Sequence, residues 1–219
     1  MPTYEGLRLK ILEFKRIKFA KKRKKLLKNT KFTIISNNCW GGMIYESYNL
    51  QKQSPTVGLY FMSNDYIKFV SDLRGYLKKD LHFISASDSK WKDSAEIKND
   101  KFFGSYPIGK LGDIEIFFLH YSSEEEALKK WNRRVARINW DKLLVKFNDQ
   151  NGCTRDDLKK FIELPYKNKV FFTSNKWEGI DDSTIVRIKQ FPKHNYIMAS
   201  YEPFGKNKYL NLEGMINSL

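Results

Sequence analysis

Cysteine is nearly absent: Cys39 and Cys153 are the only two in 219 residues, and they have no CxxC spacing. That excludes a disulfide framework, and two isolated thiols do not make a structural zinc site. Histidine is as sparse, with His82, His120 and His194 scattered singly, each read as a surface or satisfied core residue. No apolar run approaches the roughly 20 residues that span a bilayer, and the N-terminus lacks the apolar core of a secretory signal, so the expectation is a cytoplasmic protein, soluble or at most peripheral to a membrane. The fingerprints GxGxxG and GxxxxGK[ST] are missing too, which argues against a standard dinucleotide-binding or phosphate-loop domain and leaves no cofactor identified.

What is present is enough for a core. With 41% hydrophobic and 15% aromatic residues, the chain reads as one folded unit. The net charge of +15 is uneven: residues 1–31 hold 12 Lys and Arg against 2 Asp and Glu, and the other 188 hold 28 against 23. Residues 1–30 are therefore set apart as a basic N-terminal helix, and 31–219 as a single α/β domain. From Glu5 to Lys28 no proline intervenes, and Leu7, Ile11, Phe14 and Ile17 recur at three- and four-residue spacing, which predicts one amphipathic helix. Its KKRKK run at 21–25 could form a solvated face, meet anionic lipid at about 1 kcal/mol per cation, or meet nucleic-acid phosphates. Nucleic acid is disfavoured, because no strand interleaves aromatic with basic residues.

Further along, Phe32–Ser36 predicts a strand, 41–48 a short helix, and 56–62 a second, continuously apolar strand. A helix capped by Ser63 follows through Leu77, then a strand at 81–86 and a hairpin of 103–108 and 113–120 joined through 109–112. Ser123 opens a helix reaching Ile138 with Glu126 in capping-box position. Leu143–Phe147 and Lys169–Thr173 predict strands flanking a helix that starts at Thr154. Edge strands at 185–188 and 196–199, the second after a Phe-Pro break, and a closing helix at 210–219 complete the order. This alternation predicts a three-layer α/β/α fold with a mixed, mostly parallel sheet.

In such a sheet ligands bind beyond the carboxyl ends of the strands. Asn37, Asn38, Cys39 and Trp40 stand at the first such end, before Gly41 and Gly42, and Asp149 at another. Two amides and an indole exceed what a turn needs, whereas Asn and Asp in other turns often only cap. Cys39, next to a helix start, is a secondary nucleophile candidate; Asp149 is the candidate base or metal ligand. On the predicted helix at 123–138, Arg133 and Arg137 share a face with Arg134 near it, a pattern that grips a phosphate or carboxylate, with Trp131 and Trp140 as flanking apolar surfaces; the competing reading is a solvated face paired with glutamates.

SNNCWGG at 36–42, SPTVGLY at 54–60 and WNRRVARIN at 131–139 together resemble an uncharacterised bacterial family, one of the numbered domains of unknown function, whose members are often labelled exopolysaccharide biosynthesis protein. The resemblance runs from about Lys31 to Trp177. It implies a three-layer α/β domain working in capsule or surface-polysaccharide assembly, and puts Ser54, Thr56 and Asn139 beside Asn37, Asn38, Trp40, Arg133, Arg134 and Arg137 as ligand-binding residues. The expected activity is transferase-like, on a sugar phosphate, nucleotide sugar or lipid-linked glycan, with the basic helix at the inner membrane face; the alternative is a glycan-binding or scaffold protein without turnover.

Overall fold

A computed structural model describes residues 3–190 and 194–219; the Phe-Pro break at 191–192 lies outside them. In chain order the elements are α1 (Tyr4–Lys18), α2 (Ala20–Lys24), β1 (Thr33–Ser36), α3 (Trp40–Ser47), α4 (Ser63–Ser71), α5 (Leu73–Tyr76), β2 (Leu81–Ile84), α6 (Ala95–Lys98), β3 (Ile108–Leu111), β4 (Ile114–Phe117), α7 (Glu124–Val135), β5 (Leu143–Asn148), α8 (Arg155–Glu163), β6 (Lys169–Thr173), β7 (Ile185–Arg187) and α9 (Leu212–Asn217). Strands β1, β5, β6 and β7 form, in that order, a parallel sheet, while β2, β3 and β4 form a small antiparallel sheet of their own.

Both faces of the parallel sheet are covered, and the strand residues show it by alternation. Ile35, Val145, Phe147 and Phe171 pack with Phe69 of α4, Trp131 of α7 and Phe161 of α8. Ile34, Leu144, Val170 and Phe172 pack on the other side with Trp40 and Ile44 of α3 and Leu212 and Ile216 of α9. These are the three layers that strand and helix alternation predicts. The small sheet joins the first core through Leu81, Leu111, Ile114 and Ile116.

Four local expectations are corrected. The basic helix is two helices, because Phe19 leaves helical geometry and Arg23 folds back to donate to Lys15 O at 2.7 Å and Arg16 O at 2.8 Å. A cation on those terminal carbonyls complements the helix dipole. The same guanidinium donates to Ser47 O at the end of α3, at 2.8 Å, so one member of the basic run is a structural cap. Residues 56–62 are not a strand: Gly58 has φ +79°. Instead the hydroxyl of Thr56 accepts from Ser36 N at 3.0 Å and donates to Ile34 O at 3.4 Å, satisfying the open edge of β1 with a side chain. The hairpin turns at Gly112-Asp113 rather than through 109–112. Gly109 lies inside β3, where a Cβ would come within 2.7 Å of Leu81 Cδ1 and Phe118 Cε2. Residues 196–199 form no strand and arch over the strand ends.

Some local signals hold closely. Ser123 caps α7 by accepting from Glu126 N, although the Glu126 carboxylate reaches Ser122 N rather than Ser123. Thr154 and Asp157 form a reciprocal capping box on α8. The expected cap at Ser63 does not form: Ser63 is the first residue of α4, after Met62, and its hydroxyl donates to Gln150 O at 2.8 Å. The helix then breaks at Asp72, whose carboxylate accepts from Gly75 N and starts a new turn.

Candidate functional site

Beyond the carboxyl ends of β1 and β5 lies a buried polar network that no single motif announces. Lys146 shares a face of β5 with Leu144, two residues before it, so its side chain enters the layer that holds Trp40 and Phe172, and it is fully buried there. A charge in that place requires a partner. It comes from the far end of the chain: Nζ lies 2.5 Å from Glu202 Oε1, both side chains fully buried. The other two ammonium protons go to Asn37 Oδ1 at 3.2 Å and Asn38 Oδ1 at 2.9 Å. Asn148 Nδ2 donates to Glu202 Oε1 at 2.7 Å, and Asn37 Nδ2 to Asn148 Oδ1 at 2.7 Å. Burial pushes the Lys146 pKa down to about 8 in spite of Glu202, and raises that of Glu202.

The network reaches solvent through Asn38, whose Nδ2 donates to Gln150 Oε1 at 3.0 Å. Both line a cavity of about 590 Å³ between the strand ends, α6 and the arch at 196–199. Its wall combines the amides of Asn38, Asn99, Gln150 and Asn151 with the rings of Tyr60, Phe102 and Tyr196, and it offers the carboxylates of Glu96 and Asp100. Asp100 is held in place: Oδ2 accepts from Tyr106 Oη at 2.6 Å and Tyr60 Oη at 3.3 Å, and Oδ1 from Phe102 N at 2.8 Å.

Cys39 lines this cavity and also a second one of about 390 Å³, on the other side of the α3 start. Its Sγ is directed at Leu59 O, 3.9 Å away, and burial raises its pKa to about 12. Such a thiol is a minor thiolate species at neutral pH. Even allowing for the higher nucleophilicity of a more basic thiolate, its alkylation by iodoacetamide is expected to run at least about a hundredfold slower than that of a free thiol. The rate should keep climbing with pH past the point where a free cysteine levels off; a plateau near the free-cysteine value would contradict this placement.

The residues expected to act together are divided. Asn37, Asn38 and Trp40 belong to the network, with Trp40 Nε1 donating to Pro203 O at 2.8 Å and its ring set edge-on to Phe172. Asp149 sits nearby, but its oxygens are taken by Thr173 Oγ1 at 2.5 Å, Ser174 N and Asn175 Nδ2 at 3.1 Å, and Ile197 N at 2.7 Å. It ties the arch to β6 and does not line either cavity. Ser54 and Thr56 are fully buried against β1, their hydroxyls 3.0 Å apart. Asn139 lies at the opposite end of the sheet, with its Nδ2 on Lys31 O at 2.7 Å. Arg133, Arg134 and Arg137 do come together, on a separate shallow hollow of about 260 Å³ with Gln51 and Lys52. Arg134 turns inward to donate to Val57 O and the Tyr121 hydroxyl. Trp131 is core, and Trp140 lies under the Arg74 guanidinium, 3.8 Å from its ring centre. Among the described residues, no cluster of three His, Cys, Asp or Glu is placed to hold a metal ion.

A family described as a domain of unknown function, DUF1919, matches residues 10–217. The chain belongs to the DUF1919 family. A Haemophilus influenzae protein named only as uncharacterized is 34% identical over 181 residues, covering 83% of this chain and 79% of that protein. The DUF1919 match extends beyond the three motif runs at both ends. It takes in most of α1 and the tail that carries Glu202, so the carboxylate that neutralises Lys146 falls within the family's span.

The sequence held one signal for this pair. In the otherwise apolar strand LLVKFN, Lys146 is a lone cation at a position flanked by core residues. Its counter-charge could not be found by spacing, because Glu202 is 56 residues away along the chain and arrives through an irregular loop.

Proposed function

We propose that this protein recognises the saccharide part of a phosphorylated or lipid-linked precursor in surface-polysaccharide assembly. The observation that carries the reading is the wall of the larger cavity. Amide side chains that both donate and accept suit a polyol, and the rings of Tyr60, Phe102 and Tyr196 suit the apolar faces of a pyranose. The biological context comes from the motif resemblance at 36–42, 54–60 and 131–139. A transferase on this site would draw on Glu96 or Asp100, the two carboxylates in the wall, as base, since Asp149 does not line the cavity and burial disfavours the Cys39 thiolate.

A peripheral place at the membrane is the second part of the proposal, and α1 supports it. Leu9 and Leu12 pack inward, yet Leu7, Ile11, Phe14 and Ile17 form an exposed stripe, with Leu7 at 51% and Phe14 at 59%. Lys10, Lys15 and Lys18 flank that stripe. A helix with apolar residues outward between lysines fits the interface of an anionic bilayer. Among the described residues, no helix is long and apolar enough to cross a membrane.

Phe102 is 67% exposed and Tyr196 42%, so their removal should leave the fold intact. In a thermal-shift screen of sugar phosphates and nucleotide sugars, at least one is expected to stabilise the protein saturably, and Phe102→Ala with Tyr196→Ala to weaken it about tenfold, from the stacking lost. No stabilisation by any member, or equal binding by the double variant, would end the saccharide reading.

A further inference from the structure

The second cavity, walled by α1, α3, α7 and the segments around Gly58 and His120, contains an uncommon charge arrangement. Arg16 and Arg134 both line it, exposed by only 7% and 6%, and among the described residues neither forms an ion pair with a carboxylate. Buried guanidinium groups are ordinarily paired, because an uncompensated charge in the interior is costly. Arg16 donates through Nη2 to Ser200 O at 3.4 Å, while its buried Nε has no hydrogen-bond partner among the described residues. Among the described residues, Arg134 donates only through Nη1, toward Val57 O and Tyr121 Oη, which leaves its other N–H groups for a ligand or solvent.

The remaining charges are mixed. Lys52 is paired with Glu46 at 2.8 Å and Lys130 with Glu126, and Glu13 stands exposed at the rim. The lining side chains Arg16, Lys52, Lys130 and Arg134 against Glu13 and Glu46 leave an excess of two positive charges, or one when the Glu126 partner of Lys130 is counted. A phosphate monoester carries about −1.5 to −2 at neutral pH, and guanidinium donors fit its oxygens in pairs.

We propose that this cavity is a phosphoryl-binding site whose anion supplies the counter-charge that Arg16 and Arg134 lack. For the identity of the complete ligand the proposal rests on the saccharide reading: with Cys39 in the wall of both cavities, one sugar phosphate would place its ring on one side of that residue and its phosphoryl group on the other. The anion site itself rests only on the arginines.

Pyrophosphate titrated calorimetrically into the full chain at low ionic strength tests it, with acetate as the carboxylate control. Saturable binding of pyrophosphate, and none of acetate at the same concentration, is expected. Arg16→Gln and Arg134→Gln should each weaken it about tenfold or more, the scale of one hydrogen bond to a charged group. Because those arginines are buried and a variant could unfold, Lys130→Gln is the third arm, expected to weaken binding severalfold in a folded protein. Phe102→Ala should leave pyrophosphate binding unchanged, which separates this site from the saccharide cavity. Absence of pyrophosphate binding by the wild type, equal binding of acetate, or wild-type affinity in Lys130→Gln and in whichever arginine variant folds would overturn the proposal, even if a saccharide binds elsewhere.

Discussion

Lys146→Met is expected to destabilise the fold by about 3–5 kcal/mol, measured by urea unfolding, because it leaves the Glu202 carboxylate buried without its cation. Glu202 is ill placed to tolerate the loss: Oε1 would keep Asn148 Nδ2 and the longer bond from Asn38 Nδ2, but Oε2 has no partner among the described residues. Glu202→Gln alone should cost a comparable amount, now by stranding the ammonium. The double variant Lys146→Met with Glu202→Gln removes both charges, and should recover about 2 kcal/mol relative to Lys146→Met alone. pH gives a second readout. The Lys146 pKa lies near 8 in the folded protein against 10.5 for the free side chain. Between those values the unfolded chain binds more protons at this site than the folded chain, so the group's contribution to stability is smallest below about 8 and grows as pH rises toward 10.5. Wild-type stability minus that of the double variant should therefore increase across this window. A Lys146→Met protein as stable as wild type would show that the pair is not buried as described.

The second large effect concerns α1. Leu7→Glu with Phe14→Glu is expected to reduce binding to vesicles containing anionic lipid at least about a hundredfold, since each side chain inserted into the interface contributes about 1.5–3 kcal/mol. Both residues are exposed, so circular dichroism and melting should be unchanged. Raising salt should weaken wild-type binding only in part: it screens the lysines but leaves the apolar contribution. Binding that persists in the double variant, or that is absent from the wild type, would remove the membrane from the proposal.

The layer architecture was legible because periodicity is a local property. The run at 169–173 reads as a strand and is one, and Thr154 with Asp157 caps α8 as its composition suggests. Misreadings arose where a distant contact outweighs local pattern. Residues 56–62 look like a buried strand, yet Thr56 serves β1 by its side chain and Gly58 turns the backbone away. Gly109 looks like a turn residue, but packing against Leu81 and Phe118 demands it. At the site, Asn38 was recognisable from its amide-rich turn, and the arginines from their helical spacing. That spacing could not show that Arg134 alone faces inward, or that Asn139 lies at the wrong end of the sheet. Lys146 reads only as part of a strand, although a lone cation there is a misfit, and Glu202 is found only through the folded chain.

Arg23 gives one of these local corrections a wider meaning. Its guanidinium holds carbonyls of two helices at once, Lys15 and Arg16 in α1 and Ser47 in α3. The two helices are thereby hinged on a common pin. A displacement of α1 would strain the contact that Arg23 makes at the C-terminal end of α3, the helix whose opposite end carries Cys39 between the two cavities.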